Sequence, residues 1–169
     1  MVMIDKTTKS KADETDNMKK LYLMRHGETL FNKLGKIQGA SDSPLTEVGI
    51  KQARIAKEYF QNRNIKLDAY YSSTQERASD TLEIIIGNKK YKRMKELKEW
   101  NFGIFEGERE YLNPKRPIGE TSYGDSFVPY GGESSKVVQE RINEGLTKIM
   151  EQENNQNVLA VSHGEIGRA

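Results

Sequence analysis

A chain of 169 residues, 35% apolar and 31% charged, has the size and balance of one soluble domain with its own core. Its formal net charge of +2 is too small to mark nucleic acid or a membrane surface as a partner. The absence of cysteine removes disulfides and thiolate metal sites. No apolar run approaches the length of a membrane span, and the N-terminus lacks the apolar core of a secretion signal. A cysteine-free chain of this kind fits a reducing cytosol, and the cytoplasm is the expected location.

Residues 1–18 are polar and of mixed charge and read as a disordered tail, with Met18 as a natural start just before the folded domain of residues 19–169. "KLYLM", residues 20–24, predicts a short buried strand, and "GKIQGASDSPL" after it is loop, rich in Gly, Ser and Asp. Thr46 then caps a helix with Glu47 in its first turn. Gly49, Ala53, Ala56 and Phe60 recur at spacings that make one inward face. "LDAYYSS" reads as a second strand running into a further helix, where Ser73 and Glu76 have the spacing of a capping box and Ala78, Leu82 and Ile85 face inward. "KRMKELKEW" gives a weaker extended segment. Residues 103–133 carry Gly103, Gly107, Gly119, Gly124, Pro114, Pro117 and Pro129 with little periodicity, and long irregular excursions of this kind are often functional. A third helix is expected from about Ser135 to Gln152, with Val138, Ile142, Leu146 and Ile149 inward, and "NVLAV" is the last strand.

Strand, helix, strand, helix, then helix and strand argues for an α/β domain with a mostly parallel sheet flanked by helices. Such sheets bind ligands outside the carboxyl ends of their strands. The chain has two histidines, His26 and His163, and each follows an apolar strand and precedes a glycine. Arg77 follows the end of a third strand, so the three polar residues are expected in one pocket. A neutral imidazole is a usable nucleophile near neutral pH. Arg25 adds a fixed positive charge beside His26, and Gly27 and Gly164 would let a ligand approach the backbone. Arg77 in the first turn of its helix is mildly unfavourable alone but favourable once an anion binds; the competing reading pairs it with Glu76 or Asp80 on the surface. Two histidines without a helical i, i+4 relation and without cysteine make a poor zinc set, so no metal and no cofactor is expected.

These residues carry a resemblance. "LYLMRHGETLFN" resembles the opening motif of the histidine phosphatase superfamily, the phosphoglycerate mutase-like proteins. "GKIQGASDSPLTEVGIKQA", "YYSSTQERASDT", "LKEWNFGIFEG", "GGESSKVVQERI" and "VLAVSHG" resemble its later blocks in the same order, from Met18 to nearly the end of the chain. The resemblance implies a three-layer sandwich with a small phosphorylated metabolite as substrate, and a homodimer is among the assemblies open to it. It implies that His26 attacks phosphorus and becomes a phosphohistidine. Arg25, Arg77, His163 and Asn32 would hold the phosphoryl oxygens, with Gly164 beside them, and Glu99 would give a proton to the leaving oxygen and later take one from water. Spacing alone makes Glu99 a solvated charge; only the family match lifts it above Glu96.

"QGASDSPLT" and "EWNFGIFEG" resemble the phosphatase branch, and the chain is shorter than typical mutases, so a metal-independent phosphomonoesterase is favoured over a phosphoglycerate mutase. The excursion at 103–133 is expected to overhang the pocket like a cap, with Tyr111, Lys115, Arg116, Tyr123 and Tyr130 either near the leaving group or simply solvated. Gly132 and Glu133 match a family turn and read as structural. Two features depart from the family pattern. Glu165 follows "SHG" where a small or neutral residue is common, and it would repel a phosphate dianion if it pointed inward. The chain also runs only six residues past His163, "GEIGRA". The resemblance leads one to expect that C-terminal elements of the fold are missing and that one face of the last strand lies uncovered. That leaves open a reading of another class, a non-catalytic remnant that binds phosphorylated ligands or a partner protein.

Overall fold

The computed structural model describes residues 4–8, 18–116 and 118–168, with the side chains of 4–8, 167 and 168 undescribed. A five-stranded sheet of order β1-β2-β5-β3-β4 forms the centre: β1 Ile4–Thr8, β2 Lys19–Arg25, β3 Ala69–Ser73, β4 Lys92–Met94 and β5 Asn157–Ser162. β2, β5, β3 and β4 run parallel, and β1 pairs antiparallel on the outer edge of β2. The helices are α1 Leu30–Leu34, α2 Glu47–Asn62, α3 Glu76–Ile86 and α4 Ser135–Met150.

The edge strand β1 corrects the expectation of a disordered tail for residues 4–8. The edge of β2 offers unpaired N–H and C=O groups, and five residues of any composition can satisfy them through backbone alone. Residues 1–3 and 9–17 lie outside the described part.

Alternation along the central strands divides the core. Leu159 and Val161 of β5 join Met24 and the inward faces of α2 and α3, and the four apolar positions expected for α2 (Gly49, Ala53, Ala56, Phe60) are the ones buried. Val158 and Ala160 point to the other face and pack with Leu21, Tyr71, Leu97 and Ile149 of α4. Both faces of β5 are therefore covered, and Val158 to Val161 are fully buried. The expected bare face is corrected: α4, arriving just before β5, crosses that side. A third cluster joins the excursion to α4 through Trp100, Phe102, Phe127, Val138, Ile142 and Ile166.

Two element ends differ from expectation. α3 starts at Glu76 with Gln75 as N-cap and no side-chain bond from that residue, so Ser73 is not its cap. Asp42 of the loop after α1 does that work, accepting from Glu76 N at 2.6 Å through Oδ2. α1, a single turn closed by a reciprocal Thr29–Asn32 box, lies in a stretch with no sequence period to announce it.

Glycine sets the spacing between α2 and the loop that leaves β2. A Cβ on Gly49 would sit 2.1 Å from Glu28 O, and one on Gly27 would sit 2.5 Å from Gly49 O. Gly27 is thus needed for backbone packing against α2, not for ligand approach. Gly49→Ala is expected to destabilise the fold by about 1–3 kcal/mol through overpacking. Urea denaturation measures this, and a change within about 0.5 kcal/mol, the range of neutral surface substitutions, would contradict the contact.

Candidate active site

The β2–β5 register brings the two histidines together. Arg25 is opposite Ser162, and the ladder continues with His26 N–H donating to Ser162 O at 3.0 Å, so the residues after each strand end meet. The imidazole rings of His26 and His163 lie 5.2 Å apart between centroids. Arg77, in the first turn of α3 beyond the end of β3, completes the group with Nε–H donating to His26 Nε2 at 3.3 Å. The expected convergence of three strand ends is what the fold delivers.

His26 is buried and held at both nitrogens. Nδ1–H donates to Gly27 O at 2.7 Å, since a carbonyl can only accept, and this leaves the Nε2 lone pair facing Arg77. Burial, with the positive charges of Arg77 and Arg25, lowers its pKa to about 3, against the opposing bond to Gly27 O. His163 is lowered well below the ordinary range by burial first and by Arg77 next. Neither of its ring nitrogens has a hydrogen-bond partner among the described residues.

Arg77 is fully buried, which sets aside the competing reading of a surface pairing with Glu76 or Asp80. Its Nη1 donates to Ser41 O at 2.7 Å and Asp42 Oδ1 at 2.9 Å, and Nη2 donates to Gly39 O at 2.9 Å. Thr81 links it to the strand loop, donating to Arg77 O at 2.7 Å while accepting from Gly27 N at 3.0 Å. Gln75 ties the loop after α1 to the acidic segment, its Nε2 donating to Gly39 O at 2.6 Å and its Oε1 accepting from Glu99 N at 2.8 Å. Asp42, Gln75 and Thr81 escaped sequence reading because each acts on a residue distant in the chain or on backbone.

Beside them opens a cleft of about 430 Å³ whose lining includes Arg25, His26, Asn32, Arg77, Glu99 and Gly164, whereas His163 lies outside that lining, next to His26. Arg25 passes over Gly164, where a Cβ would stand 3.1 Å from its Nε, so the glycine makes room for the arginine. Asn32 spends its side-chain oxygen on Thr29 N and Oγ1, which turns the question of phosphate contact over to its NH₂. Glu99 is buried rather than solvated, contrary to its spacing. Burial raises its pKa first, and Glu165 adds to the rise, against the Trp100 N–H bond and the charge of Arg77. Glu96, the rival carboxylate, is instead bonded to Lys148 Nζ at 2.9 Å on the flank of α4, which lowers its pKa.

The excursion does overhang the cleft, through Glu110, Asn113, Arg116 and Tyr123. Tyr111, Lys115 and Tyr130 are exposed and lie outside the lining. Gly132 and Glu133 are structural, as expected: Trp100 Nε1 donates to Glu133 O at 2.7 Å, and Arg141 Nη2 meets Glu133 Oε2 at 2.9 Å. Among the described residues no cluster of His, Cys, Asp or Glu could hold a metal ion, and no helix is long and apolar enough to cross a membrane.

A sheet whose carboxyl ends bring Arg25, His26 and Arg77 to one cleft, with His163 beside His26, gives an α/β protein with positive charge gathered for an anionic ligand. The chain belongs to the histidine phosphatase superfamily (branch 1), whose family model matches residues 21–169. It is 33% identical over 157 residues to a metal-independent phosphoserine phosphatase of Arabidopsis thaliana, covering 88% of this chain and 66% of that one. It is 34% identical over 156 residues to the probable phosphoglycerate mutase GpmB of Yersinia pestis, covering 87% and 70%. The solved structure of Bacillus stearothermophilus YhfR superposes with a TM-score of 0.76 at 32% identity, over 86% of this chain and 74% of that one. The fold is that of the phosphoglycerate mutase-like histidine phosphatases, and the chain spans about two thirds of the length of these curated relatives.

Buried neutral histidines make stability depend on pH. The unfolded chain takes up protons below about pH 6.5 while native His163 does not, so its contribution is present above that pH and is lost as pH falls. Glu99 acts in the other direction, gaining stability as pH falls through its raised pKa, and is common to both proteins compared. Between pH 7 and pH 5, H163Q is expected to lose about 1–2 kcal/mol less than wild type, measured by urea denaturation at each pH. Equal losses would mean that His163 is not held neutral.

Proposed function

We propose that this protein is a metal-independent phosphomonoesterase acting through a phosphohistidine on a small phosphorylated metabolite. One observation carries the reading: His26 Nδ1 is pinned to Gly27 O, so Nε2 alone is presented to the cleft beside a buried guanidinium. His26 Nε2 attacks phosphorus in line with the ester oxygen, and the P–O bond breaks as Glu99 gives its proton to that oxygen. Water then attacks the phosphohistidine, Glu99 takes its proton, and the P–N bond returns its electrons to His26.

Catalysis of this kind consists mostly of positioning and charge neutralisation. Arg25 and Arg77 supply fixed positive charge at the cleft, and the N–H of neutral His163, unpartnered among the described residues, is left to donate to a phosphoryl oxygen. Arg77 has five N–H donors, of which the bonds to His26, Ser41, Asp42 and Gly39 engage four, leaving one on Nη2. Support for hydrolysis over mutase chemistry comes from the phosphatase-like blocks at Gln38–Thr46 and Glu99–Gly107 and from the metal-independent phosphatase among the relatives.

The experiment is phosphate release from p-nitrophenyl phosphate with and without EDTA, for wild type, H26A, E99Q and E96Q. Wild type and E96Q are expected to turn over unchanged by EDTA. H26A is expected to lose at least about 10³-fold, and E99Q about 10²–10⁴-fold, the range of a general acid. Isomerisation of phosphoglycerate faster than phosphate release would replace the phosphatase with a mutase. A folded wild type that binds phosphate, releases none and forms no phosphohistidine would be the non-catalytic remnant.

A further inference from the structure

The excursion and the loop after α1 meet in a short ribbon at the rim of the cleft. Ile37 N–H donates to Glu108 O at 2.9 Å, Gly107 N–H to Ile37 O at 2.8 Å, and Glu110 N–H to Gly35 O at 2.9 Å. The ribbon sets the partly buried carboxylate of Glu106 against residues 39–41. Its Oε1 accepts from Ala40 N–H at 2.8 Å and Phe102 N–H at 3.1 Å. Its Oε2 accepts from Ser41 N–H at 3.0 Å and from the Ser41 hydroxyl at 3.1 Å. Successive N–H groups of a turn make such a cradle for an anion. Gly39 at φ +55° makes the turn, and a Cβ there would stand 2.4 Å from Glu106 Oε1. The same residues hold Arg77 from the other side, Gly39 O taking Nη2–H at 2.9 Å and Ser41 O taking Nη1–H at 2.7 Å. The N–H and C=O of a trans peptide point in opposite directions. The Gly39–Ala40 peptide therefore stands between two charges, its N–H on the carboxylate and its C=O on the guanidinium.

We propose that Glu106 is a positioning residue for phosphoryl binding, acting through the Gly39–Ala40 peptide on Arg77. The proposal rests on the phosphomonoesterase reading, in which Arg77 holds phosphoryl oxygens, and adds a residue that reading does not use. Half a turn of the peptide would point its carbonyl away from Arg77 and its N–H toward the guanidinium. Glycine at position 39 offers no Cβ to resist that rotation. The carbonyl end is held by Arg77 and by Gln75 Nε2, and among the described residues the N–H end is held by Glu106. A bond to an ionised acceptor is stronger than one to a neutral group. The peptide dipole also lies along the field of both charges, so each bond strengthens the one at the other end. With Gly39 O fixed, one Nη2–H of Arg77 is committed, and the planar guanidinium leaves its partner a single direction. Asp42 meets Arg77 directly, whereas Glu106 acts one peptide further out and ties that hold to the excursion. The bond to Phe102 opens a rival role, ordering of the segment that carries Glu99, and the two roles separate by leaving group.

The test sets E106A and E106Q beside wild type. It measures the dissociation constant of orthophosphate by calorimetry, kcat/KM for p-nitrophenyl phosphate and glycerol 2-phosphate, and the thermal melt of each protein. The leaving oxygen of the first ester departs readily, and that of the second needs a proton from Glu99. E106A is expected to weaken orthophosphate about ten-fold, the size of one hydrogen bond to a charged group, and to lower kcat/KM for both esters by a common factor. E106Q keeps a carbonyl oxygen for Ala40 and Phe102 and is expected to lose about three-fold, the difference between a charged and a neutral acceptor. It carries the test by itself if E106A does not fold. Orthophosphate bound by the folded variants as tightly as by wild type overturns the positioning role and leaves the phosphatase standing, whether or not the melt falls. A loss confined to glycerol 2-phosphate does the same, because it assigns Glu106 to the Glu99 side. A wild type that binds orthophosphate but hydrolyses neither ester overturns the phosphatase, and the orthophosphate constants then decide the positioning role alone.

Discussion

The burial of the Arg77 guanidinium is the constraint on which the rest of the site depends. A cation without solvent must be met by acceptors on all sides, and the chain meets it with Gly39 O, Ser41 O, the Asp42 carboxylate and His26 Nε2. Three of these come from the loop after α1 and the fourth from the residue after β2, so one side chain locks that loop, the end of β2 and the start of α3 into a single arrangement. Removing any one acceptor would leave a buried charge undercompensated, which is far costlier than losing an exposed pair. Burial first and that same charge next hold the His26 pKa low, so the residue that fixes the architecture of the site also helps set the state of the proposed nucleophile.

Around that fixed point the sheet and the loops divide the work. The parallel ladder between β2 and β5 determines how far His26 stands from His163, and it can do so reliably because both strands are buried and their register is set by Leu21, Met24 and Val158 to Val161 packing on two faces. The backbone contact of Gly27 with Gly49 then brings α2 against the turn that carries His26. The side of the cleft opposite the strand ends has no such ladder. It is built from the excursion, whose order comes from rings packed edge to face, Phe102 on Phe127 at 4.8 Å and Tyr123 on Phe127 at 5.0 Å, and from the Glu133 bonds to Asn101, Trp100 and Arg141.

This division explains what the sequence made legible. α2, α4 and the two central strands follow from period, because amphipathic elements announce their inward faces, although Leu146 of α4 and Tyr22 and Leu23 of β2 are only partly buried. The pairing of His26 with His163 followed from strand ends, a property of topology. What local pattern could not carry was any role played across the chain. Ser73 has the spacing of a cap, yet Asp42 caps α3 from 34 residues away. Glu99 reads as one charge among several in "KELKEW", and only tertiary packing buries it while Glu96, three residues earlier, goes to Lys148. Family resemblance supplied the choice between them, and the fold supplies its physical reason.

The opposed shifts of His26 and Glu99 are the last step of that reason. In water an imidazole near pKa 6.5 and a carboxyl near 4.5 settle with the proton on the imidazole, the wrong arrangement for an attack by nitrogen and a proton gift by oxygen. Burial penalises the charged form of each, so it drives the histidine down and the carboxyl up. The positive charges in the cleft act on both in one direction, lowering each pKa; for His26 they add to burial, while for Glu99 they oppose it. Glu99 stays raised because its burial outweighs Arg77, with the carboxylate of Glu165 assisting. The order of protonation is thereby inverted: the Glu99 carboxyl holds a proton more tightly than the His26 imidazole, which is the order the proposed phosphoryl transfer to His26 would start from. That inversion needs no metal ligand or special residue type, only a dry site in which one group is a base that burial disarms of its proton and the other an acid that burial makes keep it.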